Sequence, residues 1–331
     1  MRLLVLSAAE VHALLGYDEC ARAVRDALVA LETGRAQQPL RTVLRPEGAA
    51  GLVALMPSYA SGAEEDEAAY GLKAICITPA NPAAGLDTHQ GVVLLSSGRT
   101  GEPLALLNAS AVTEIRTAAV SVIATELLAR KDADVLAVIG AGVQARAHIL
   151  ALDQARPLRE IRLAGRHRAS AEQLAASVRE LIRPPLRVCD GVAEAVDGAG
   201  IVVTATSSAE PVLRGEWLRP GSHVNAVGAC LPTARELDGP AMAAGVLFAD
   251  RRESLLAEAG DYVIAASEGA VSPASVRAEL GEVLAGRAPG RTSDDEITIF
   301  ESLGLAVEDL AAARCAYLTA AETGAGSWIE F

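Results

Sequence analysis

Beyond residue 134, short apolar runs alternate with longer segments in which the apolar residues have helical spacing. The apolar runs, rich in β-branched residues and each ending at a polar or glycine turn, are VLAVIG (135–140), IRLAG (161–165), IVVTAT (201–206), HVNAVG (223–228) and GVLFAD (245–250). The helical segments are QARAHILALDQA (144–155) and SAEQLAASVREL (170–181). Apolar strands that alternate with helices are typical of a doubly wound parallel sheet. We therefore predict a Rossmann-type dinucleotide-binding domain over residues 119–302.

The first 115 residues have a different pattern. Two helical segments, near residues 7–15 and 17–33, precede short apolar stretches that are separated by Gly and Pro turns: RTVLRPEG, GLVALMPSY, GLKAICITPANP and GVVLLSSGRTGEPLALL. Strands without long helices between them predict a mostly antiparallel sheet. A helix is predicted from residue 113 to 130, leading into the nucleotide domain.

The C-terminal tail, SDDEITIFESLGLAVEDLAAARCAYLTAAETG, is predicted to be helical again and to pack back on the first domain. Residues 1–118 and 303–331 would then form one discontinuous α+β domain for substrate binding and dimerisation. The predicted fold class is α/β.

Composition and charge exclude several classes of protein. The chain has 331 residues, of which 51% are hydrophobic, enough for two domains with separate cores. Its formal net charge of −13 would repel nucleic acid and anionic membrane surfaces. The N-terminal stretch lacks the hydrophobic region and cleavage site of a signal peptide, and no apolar run approaches the roughly 20 residues of a membrane-spanning helix. We predict a cytoplasmic protein without nucleic-acid or membrane partners.

Cysteine and histidine spacing gives no sign of a metal site. The five cysteines are widely spaced and include no C-x-x-C pair, and the five histidines include no H-E-x-x-H pattern. We predict no metal and a reducing compartment.

A glycine turn follows the first strand of the nucleotide domain. Gly140, Gly142 and Ala145 fit G-x-G-x-x-A, with Val143 and Gln144 between them at the start of the helix. Gly140 permits the tight turn, Gly142 lets a pyrophosphate approach the backbone, and Ala145 keeps helix and strand close. We predict that these five residues bind a dinucleotide, the alternative being a purely structural turn.

The end of the second strand indicates which dinucleotide is bound. An NAD site usually has an acidic residue there for the ribose hydroxyls, whereas this chain has Arg166, His167 and Arg168 after Gly165. Cations at that place neutralise a 2′-phosphate. We therefore predict that NADP(H) is preferred over NAD(H), the alternative being a solvated basic loop.

Several stretches together resemble the ornithine cyclodeaminase/mu-crystallin family from about residue 30 to the C-terminus. They are QPLRTVL (38–44), GLKAICITPANP (71–82), TGEPLALL (100–107), TEIRTAA (113–119), VIGAGVQA (138–145), EPVLRGEWLRPGSHVNAVGA (210–229) and GRTSDDEITIFESLGLAVEDLAAA (290–313). The resemblance implies a dinucleotide-dependent enzyme that acts on amino acids or their imines. It also implies a homodimer joined through the non-nucleotide domain.

The resemblance implies roles for three cations. Arg41 and Arg116 match arginines that hold a substrate carboxylate, and Lys73 matches a lysine beside the reacting centre. Two arginines would fix a carboxylate in position and orientation, as hydride transfer requires. The alternative for each arginine is a structural salt bridge. A lysine near two arginines should have a lowered pKa and could pass protons at neutral pH.

Further cofactor contacts are predicted at Thr113 in the TEIRTAA helix and at the carboxyl ends of strands, where ligands of open α/β sheets bind. The strand-end residues are Thr206, Ser207, Val227 and Gly228, and Asp294 is placed in a loop over the cofactor. His89 either contacts substrate or faces solvent.

The chain departs from the cyclodeaminase pattern at Cys230. Cyclodeaminases of the family have an aspartate there, and a thiol is a poor substitute for a fixed carboxylate. Cys230 either contributes to the substrate site or is a small packing residue. We predict an NADPH-dependent reductase that transfers hydride to the C=N carbon of an α-imino or cyclic imino carboxylate, as an amino acid dehydrogenase would. The alternatives are an ornithine or lysine cyclodeaminase with recycled NAD and a non-catalytic NADPH-binding protein.

Overall fold

The structure is a computed structural model that describes residues 2–62 and 67–331. Its strands are β1 Arg2–Leu6, β2 Ala36–Gln37, β3 Thr42–Leu44, β4 Leu52–Ala60, β5 Ala69–Ile77, β6 His89–Ser97, β7 Pro103–Asn108, β8 Val135–Ile139, β9 Glu160–Ala164, β10 Leu186–Val188, β11 Ile201–Thr204, β12 His223–Ala226, β13 Gly245–Ala249, β14 Val276–Glu279, β15 Ile297–Glu301 and β16 Ser327–Glu330.

The α-helices are α1 Ala8–Leu14, α2 Tyr17–Glu32, α3 Ala109–Leu128, α4 Val143–Ala155, α5 Arg168–Val178, α6 Val192–Val196, α7 Gly239–Ala244, α8 Arg252–Glu258, α9 Gly260–Ser267, α10 Leu280–Leu284 and α11 Ala306–Thr323. The chain divides into two units, and the boundary falls within α3. Unit 1 comprises Met1–Ala119 and Gly304–Phe331, and unit 2 comprises Val120–Leu303.

Unit 1 is built on one sheet with the strand order β16-β1-β7-β6-β5-β4-β2, in which β3 also pairs with β4. Neighbouring strands are antiparallel except for β1 and β7. Helix α11 packs against β4, β5 and β6, and α2 packs against α11. Alternation along β4 and β5 therefore places Met56 and Ile75 under the helix, whereas Leu55 and Tyr70 are exposed on the other side.

Unit 2 is a parallel sheet with the strand order β10-β9-β8-β11-β12-β15-β13-β14. Strand β8 is buried along its whole length, because the helices that connect parallel strands cover the faces of the sheet. The chain runs outward from β8 to β9 and β10, then returns to β11 on the other side of β8. The strand order thus reverses at β8, which makes its carboxyl end the switch point where open α/β sheets bind ligands. The predicted α/β fold with a Rossmann-type sheet is confirmed.

Two local predictions were wrong. Residues 297–301, predicted as helix, form β15 between β12 and β13. Thr298, Ile299 and Phe300 are fully buried there, so pairing on both edges prevails over the helical signal of the flanking residues. The helix predicted from residue 113 begins four residues earlier, at Ala109. Strands β1, β2, β10, β14 and β16 are short and were not predicted.

Within the described residues, every helix is too short or too polar to cross a membrane.

Candidate functional site

Lys73 lies in the middle of the unit 1 sheet. Its strand β5 pairs it with Met56 of β4 and Val93 of β6, so its side chain shares the face that α11 covers. Lys73 is only 3% exposed, and its Nζ lies 2.7 Å from Oδ2 of Asp309 on α11. A buried ammonium requires such a partner, since an isolated charge is very unfavourable in a protein interior.

Arg116 on α3 joins the same group of charges. Its guanidinium Nε lies 3.1 Å from Asp309 Oδ1, and its Nη1 lies 2.9 Å from Glu308 Oε2. Arg116 is 5% exposed, and both acids are buried. Asp309 therefore bridges Lys73 and Arg116. The two acids occupy the first turn of α11, where the helix dipole favours negative charge.

Arg41 reaches the group from the loop between β2 and β3. Its Nη2 donates to the carbonyl oxygen of Gly304 at 3.1 Å. Gly304 has φ of 80°, and a Cβ there would lie 2.3 Å from Arg116 Nη1. Both guanidinium groups thus contact one glycine that no other residue can replace without strain. Gln38 anchors the Arg41 loop, because its Oε1 accepts from the Val307 amide at 2.9 Å.

We call Arg41, Lys73, Arg116, Glu308 and Asp309 the charge cluster. Burial lowers the pKa of Lys73 to about 8, with further lowering by Arg116 and Arg41 and opposition from Asp309. Among these five residues, three are cationic while Lys73 is protonated and two are anionic.

His89, the first residue of β6, lies at the edge of this cluster. The residue as a whole is exposed, but its ring is partly buried. This burial, together with the charges of Lys73 and Arg116, lowers the pKa of His89. Register places it on the same face as Lys73, since Ile77 pairs with His89 and Lys73 with Val93. Thr113 is also in unit 1, one turn before Arg116 on α3 and half-buried.

The glycine turn of unit 2 has the conformation that its sequence predicts. Gly140 has φ of 125°, and a Cβ there would lie 2.3 Å from the carbonyl oxygen of Ala205. A Cβ at Gly142 would meet nothing within 4 Å. Among the described residues, no side chain caps the N-terminus of α4. At that end of the helix Val143 is exposed and Ala145 is buried. Gln144 follows in the first turn. An open backbone at a helix N-terminus fits a diphosphate, so these residues can hold a dinucleotide.

The basic residues after β9 are not equivalent. Arg168 lies 2.8 Å from Glu172 through its Nε and also donates to Asp190. Arg166 and His167 are exposed and form no such ion pair with the residues that the structure describes. Arg166 and His167 are therefore the better candidates for an added phosphate.

The predicted residues at strand ends lie at two neighbouring strands of unit 2. Thr206 and Ser207 follow β11, and Val227 and Gly228 follow β12, which pairs with β11 in parallel. Their loops lie at the same sheet edge as Gly140. Cys230 belongs to this unit and not to the charge cluster of unit 1; its Sγ donates to the Val227 carbonyl oxygen at 3.3 Å.

Asp294 lies away from these residues. It precedes β15, and its carbonyl oxygen lies 2.7 Å from the Cβ position of Gly221, which precedes β12. Both positions are at the amino edge of the parallel sheet, whereas the glycine turn is at the carboxyl edge. A strand of five residues spans about 16 Å, so we correct the placement of Asp294 and leave it out of the cofactor site.

A model of the ornithine cyclodeaminase/mu-crystallin family matches residues 1–324. The chain belongs to this family. The resemblance proposed from the sequence motifs is thereby confirmed. Within the described residues, no group of three or more His, Cys, Asp and Glu side chains is arranged to hold a metal ion.

Individual members of the family are similar over most of the chain. Ketimine reductase mu-crystallin of Mus musculus is 41% identical over 284 residues, 86% of this chain and 85% of that protein. Delta(1)-pyrroline-2-carboxylate reductase of Bacillus cereus is 38% identical over 99% of this chain and all of that protein. The structure of the Thermococcus litoralis Delta(1)-pyrroline-2-carboxylate reductase with NADH and L-proline has a TM-score of 0.94 and 36% identity, covering 98% of this chain and 99% of that one.

Sequence reasoning missed the acids of the site. Glu308 and Asp309 are part of a motif that carried the family resemblance, yet only the fold shows that they face Arg116 and Lys73. Glu236 was also missed, although its carboxylate accepts hydrogen bonds from the Thr206 and Gly228 amides. Two adjacent acids at the start of a helix were a weak sequence signal for Glu308 and Asp309. No sequence signal pointed to Glu236.

Proposed function

We propose that the chain reduces the C=N bond of an α-imino or cyclic ketimine carboxylate, with NADPH preferred over NADH. It is an oxidoreductase that acts on C=N groups, since its relatives at 41% and 38% identity are named reductases of such compounds. The observation that carries the proposal is the charge cluster of unit 1, in which the fold brings Arg41, Lys73 and Arg116 together.

The two arginines hold the substrate carboxylate in this proposal. Guanidinium groups bind carboxylates through directed, charge-assisted hydrogen bonds, which orient as well as attract. Glu308 and Asp309 hold Arg116 in one position, and Gly304 holds Arg41. Fixed donors of this kind hold the imine carboxylate in one orientation at little entropic cost.

Lys73 supplies the proton. Reduction adds a hydride to the imine carbon and a proton to the nitrogen, and the hydride comes from the reduced nicotinamide when it is bound. A lysine with a pKa of about 8 is mostly protonated at neutral pH and gives up its proton readily. Asp309 holds the Nζ in place at 2.7 Å.

The preference for NADPH rests on Arg166 and His167. Both are exposed after β9, and no ion pair of the described chain engages them, so they are available to a 2′-phosphate. Arg168 is already paired with Glu172 and Asp190, and its contribution is expected to be small.

Reduction is favoured over cyclodeamination by the residues near Cys230. The thiol donates to the Val227 carbonyl oxygen, and it is no fixed carboxylate. Glu236, six positions later, cannot replace the missing acid, because it is fully buried and its two oxygens already accept from the Thr206 and Gly228 amides.

A homodimer through unit 1 is part of the proposal. On the sheet face opposite α11, Leu55 of β4 pairs with Ala74 of β5, which pairs with Val92 of β6, so one apolar row crosses three strands. Leu55, Tyr70 and Val92 are 39%, 51% and 42% exposed. Contiguous apolar surface of this kind marks a protein interface. Light scattering should give twice the chain mass for the wild type and a smaller mass for Leu55→Glu.

The test of function has two stages. NADPH and NADH are titrated separately by fluorescence of the reduced nicotinamide, and tighter binding of NADPH is expected. NADPH oxidation is then followed with five- and six-membered cyclic ketimine carboxylates and with pyruvate plus methylamine. Oxidation with at least one of these substrates is expected. Normal NADPH binding without oxidation of any of them would contradict the proposal.

A further inference from the structure

Glu236 spans two loops of unit 2 with one carboxylate. Its Oε1 accepts from the Thr206 amide and its Oε2 from the Gly228 amide, both at 2.6 Å. Thr206 follows β11 and Gly228 follows β12, which are adjacent parallel strands. A single side chain therefore ties the carboxyl ends of these two strands together.

The junction is closely packed around that carboxylate. A Cβ at Gly228 would lie 2.2 Å from the Thr206 carbonyl oxygen and 2.6 Å from Glu236 Cδ. Only glycine lets the two loops approach the carboxylate this closely. Thr206 and Gly228 are thus held against each other as well as against Glu236.

Glu236 is itself fixed by its backbone. Its own amide and that of Leu237 both donate to Asp261 Oδ1 at 2.7 Å. Its carbonyl oxygen accepts from the Val212 and Leu213 amides at 2.7 and 2.9 Å. The residue can therefore act as a rigid brace for the loops that its side chain contacts.

Packing alone does not account for a carboxylate at this place. Glu236 is 0% exposed and forms no ion pair within the described residues. Burial of a carboxylate without a cation is costly, and an apolar residue would fill the same volume at lower cost. What distinguishes the carboxylate from an apolar side chain here is its pair of acceptor oxygens, one for each loop.

We propose that Glu236 is a positioning residue, which fixes the Thr206–Ser207 and Val227–Gly228 loops as a platform for the nicotinamide end of the cofactor. This inference rests on the proposed function, because it assumes that a nicotinamide dinucleotide binds at the carboxyl edge of the unit 2 sheet. The adenosine and diphosphate portion would bind instead at the glycine turn and at Arg166.

The test compares two ligands in binding, without turnover. NADPH carries the nicotinamide, and 2′-phospho-ADP-ribose is the same molecule without it. In Glu236→Gln the amide keeps one acceptor oxygen and turns an NH₂ group toward the second loop amide. We expect NADPH to bind about tenfold more weakly, as for the loss of one charge-assisted hydrogen bond, and 2′-phospho-ADP-ribose to bind as in the wild type.

Glu301→Gln is the matched control. Glu301 ends β15, is 1% exposed, and its Oε1 has no hydrogen-bond partner within the described chain. Burial, with the nearby carboxylates of Asp261, Glu236 and Asp250, raises the pKa of Glu301 well above the ordinary value, and glutamine keeps its size without the charge. Neither ligand should bind differently to this variant.

Equal weakening of both ligands by Glu236→Gln would overturn the proposal, since it would indicate a general structural role. Unchanged binding of both would overturn it as well. If Glu236→Gln does not fold, Glu236→Asp keeps the charge but withdraws both oxygens by one methylene, and the same pattern is expected. Because the assay measures binding only, failure of the wild type to reduce imines would contradict the proposed function and leave this result standing.

Discussion

Two groups of buried charges, one in each unit, are stabilised in different ways. Unit 1 buries Lys73 and Arg116 together with Glu308 and Asp309, and each charge has an opposite partner within 3.1 Å. Unit 2 buries Glu236, Asp261 and Glu301, and none of these three forms an ion pair within the described residues. Burial raises the pKa of each, and backbone amides serve Glu236 and Asp261 in place of cations.

The difference indicates what each unit can bind. Unit 1 brings three cations together in one group, which suits the anionic substrate of the proposed function. In unit 2 the carboxylates hold backbone loops, and the N-terminus of α4 suits a diphosphate. Under the proposed function, the paired charges belong to the substrate site and the amide-bound carboxylates support a cofactor site.

Breaking the ionic group of unit 1 should have the largest effect on stability. Arg116→Met removes the guanidinium that contacts both Glu308 and Asp309 while these acids stay buried, and we expect a loss of about 3–5 kcal/mol in the free energy of unfolding. Glu301→Gln in unit 2 removes no ion pair and should cost less than about 1 kcal/mol. Urea denaturation followed by circular dichroism compares the two, and equal losses would show that the units do not differ.

Lys73→Arg keeps the charge and removes the proton donor with the lowered pKa. We expect kcat to fall by about 100-fold or more. In the wild type the protonated amine is lost as pH rises through about 8, so kcat/KM for reduction should decline above that pH. Oxidation of the amino acid needs the neutral amine and should rise over the same range. If kcat/KM of Lys73→Arg for reduction still declines above that pH, the titration belongs to another group.

Arg41→Ala tests the arginine that enters unit 1 from a loop. The variant loses one charge-assisted contact to the substrate carboxylate, and we expect KM for the imine to rise about tenfold or more with a smaller change in kcat. Arg45→Ala is the control, because Arg45 is exposed just after β3. In steady-state kinetics the KM of Arg41→Ala should therefore exceed that of Arg45→Ala. Similar KM values would place Arg41 outside the binding site.

The smallest expected effect concerns the surface of unit 2. Arg166→Ala should weaken NADPH binding by about tenfold and leave NADH binding unchanged. Arg168→Ala should change neither by more than about twofold, since Glu172 and Asp190 already engage that guanidinium. Fluorescence titration gives all four dissociation constants. An Arg168→Ala loss that exceeds the Arg166→Ala loss would reverse the assignment.

Local sequence patterns predicted the parts of the fold that depend on near neighbours. The run before Gly140 is buried as β8, and Gly140 occupies a turn whose positive φ and contact with Ala205 only glycine allows. Residues 297–301 were wrongly predicted because their strand is stabilised by β12 and β13, which are distant in sequence. Asp294 was misplaced for a related reason, since strand direction in the sheet decides which edge a loop occupies.

The candidate site was predictable only through the family motifs. They led to Arg41, Lys73 and Arg116, three cations that the fold brings together around Asp309 and Gly304. The acids that pair with Lys73 and Arg116 could not be found from spacing, because their pairing depends on how α11 packs on β5. Glu236 likewise could not be found from spacing, because its carboxylate contacts two loops that are 22 positions apart in the chain.

The most direct test of the account is whether the substrate's carboxylate is required. With saturating NADPH, kcat/KM is measured for Δ1-pyrroline-2-carboxylate and for Δ1-pyrroline, which has the same ring and C=N bond without the acid. If Arg41 and Arg116 of unit 1 bind that carboxylate, the acid should be reduced about 100- to 10,000-fold more efficiently. A ratio close to one would contradict the account.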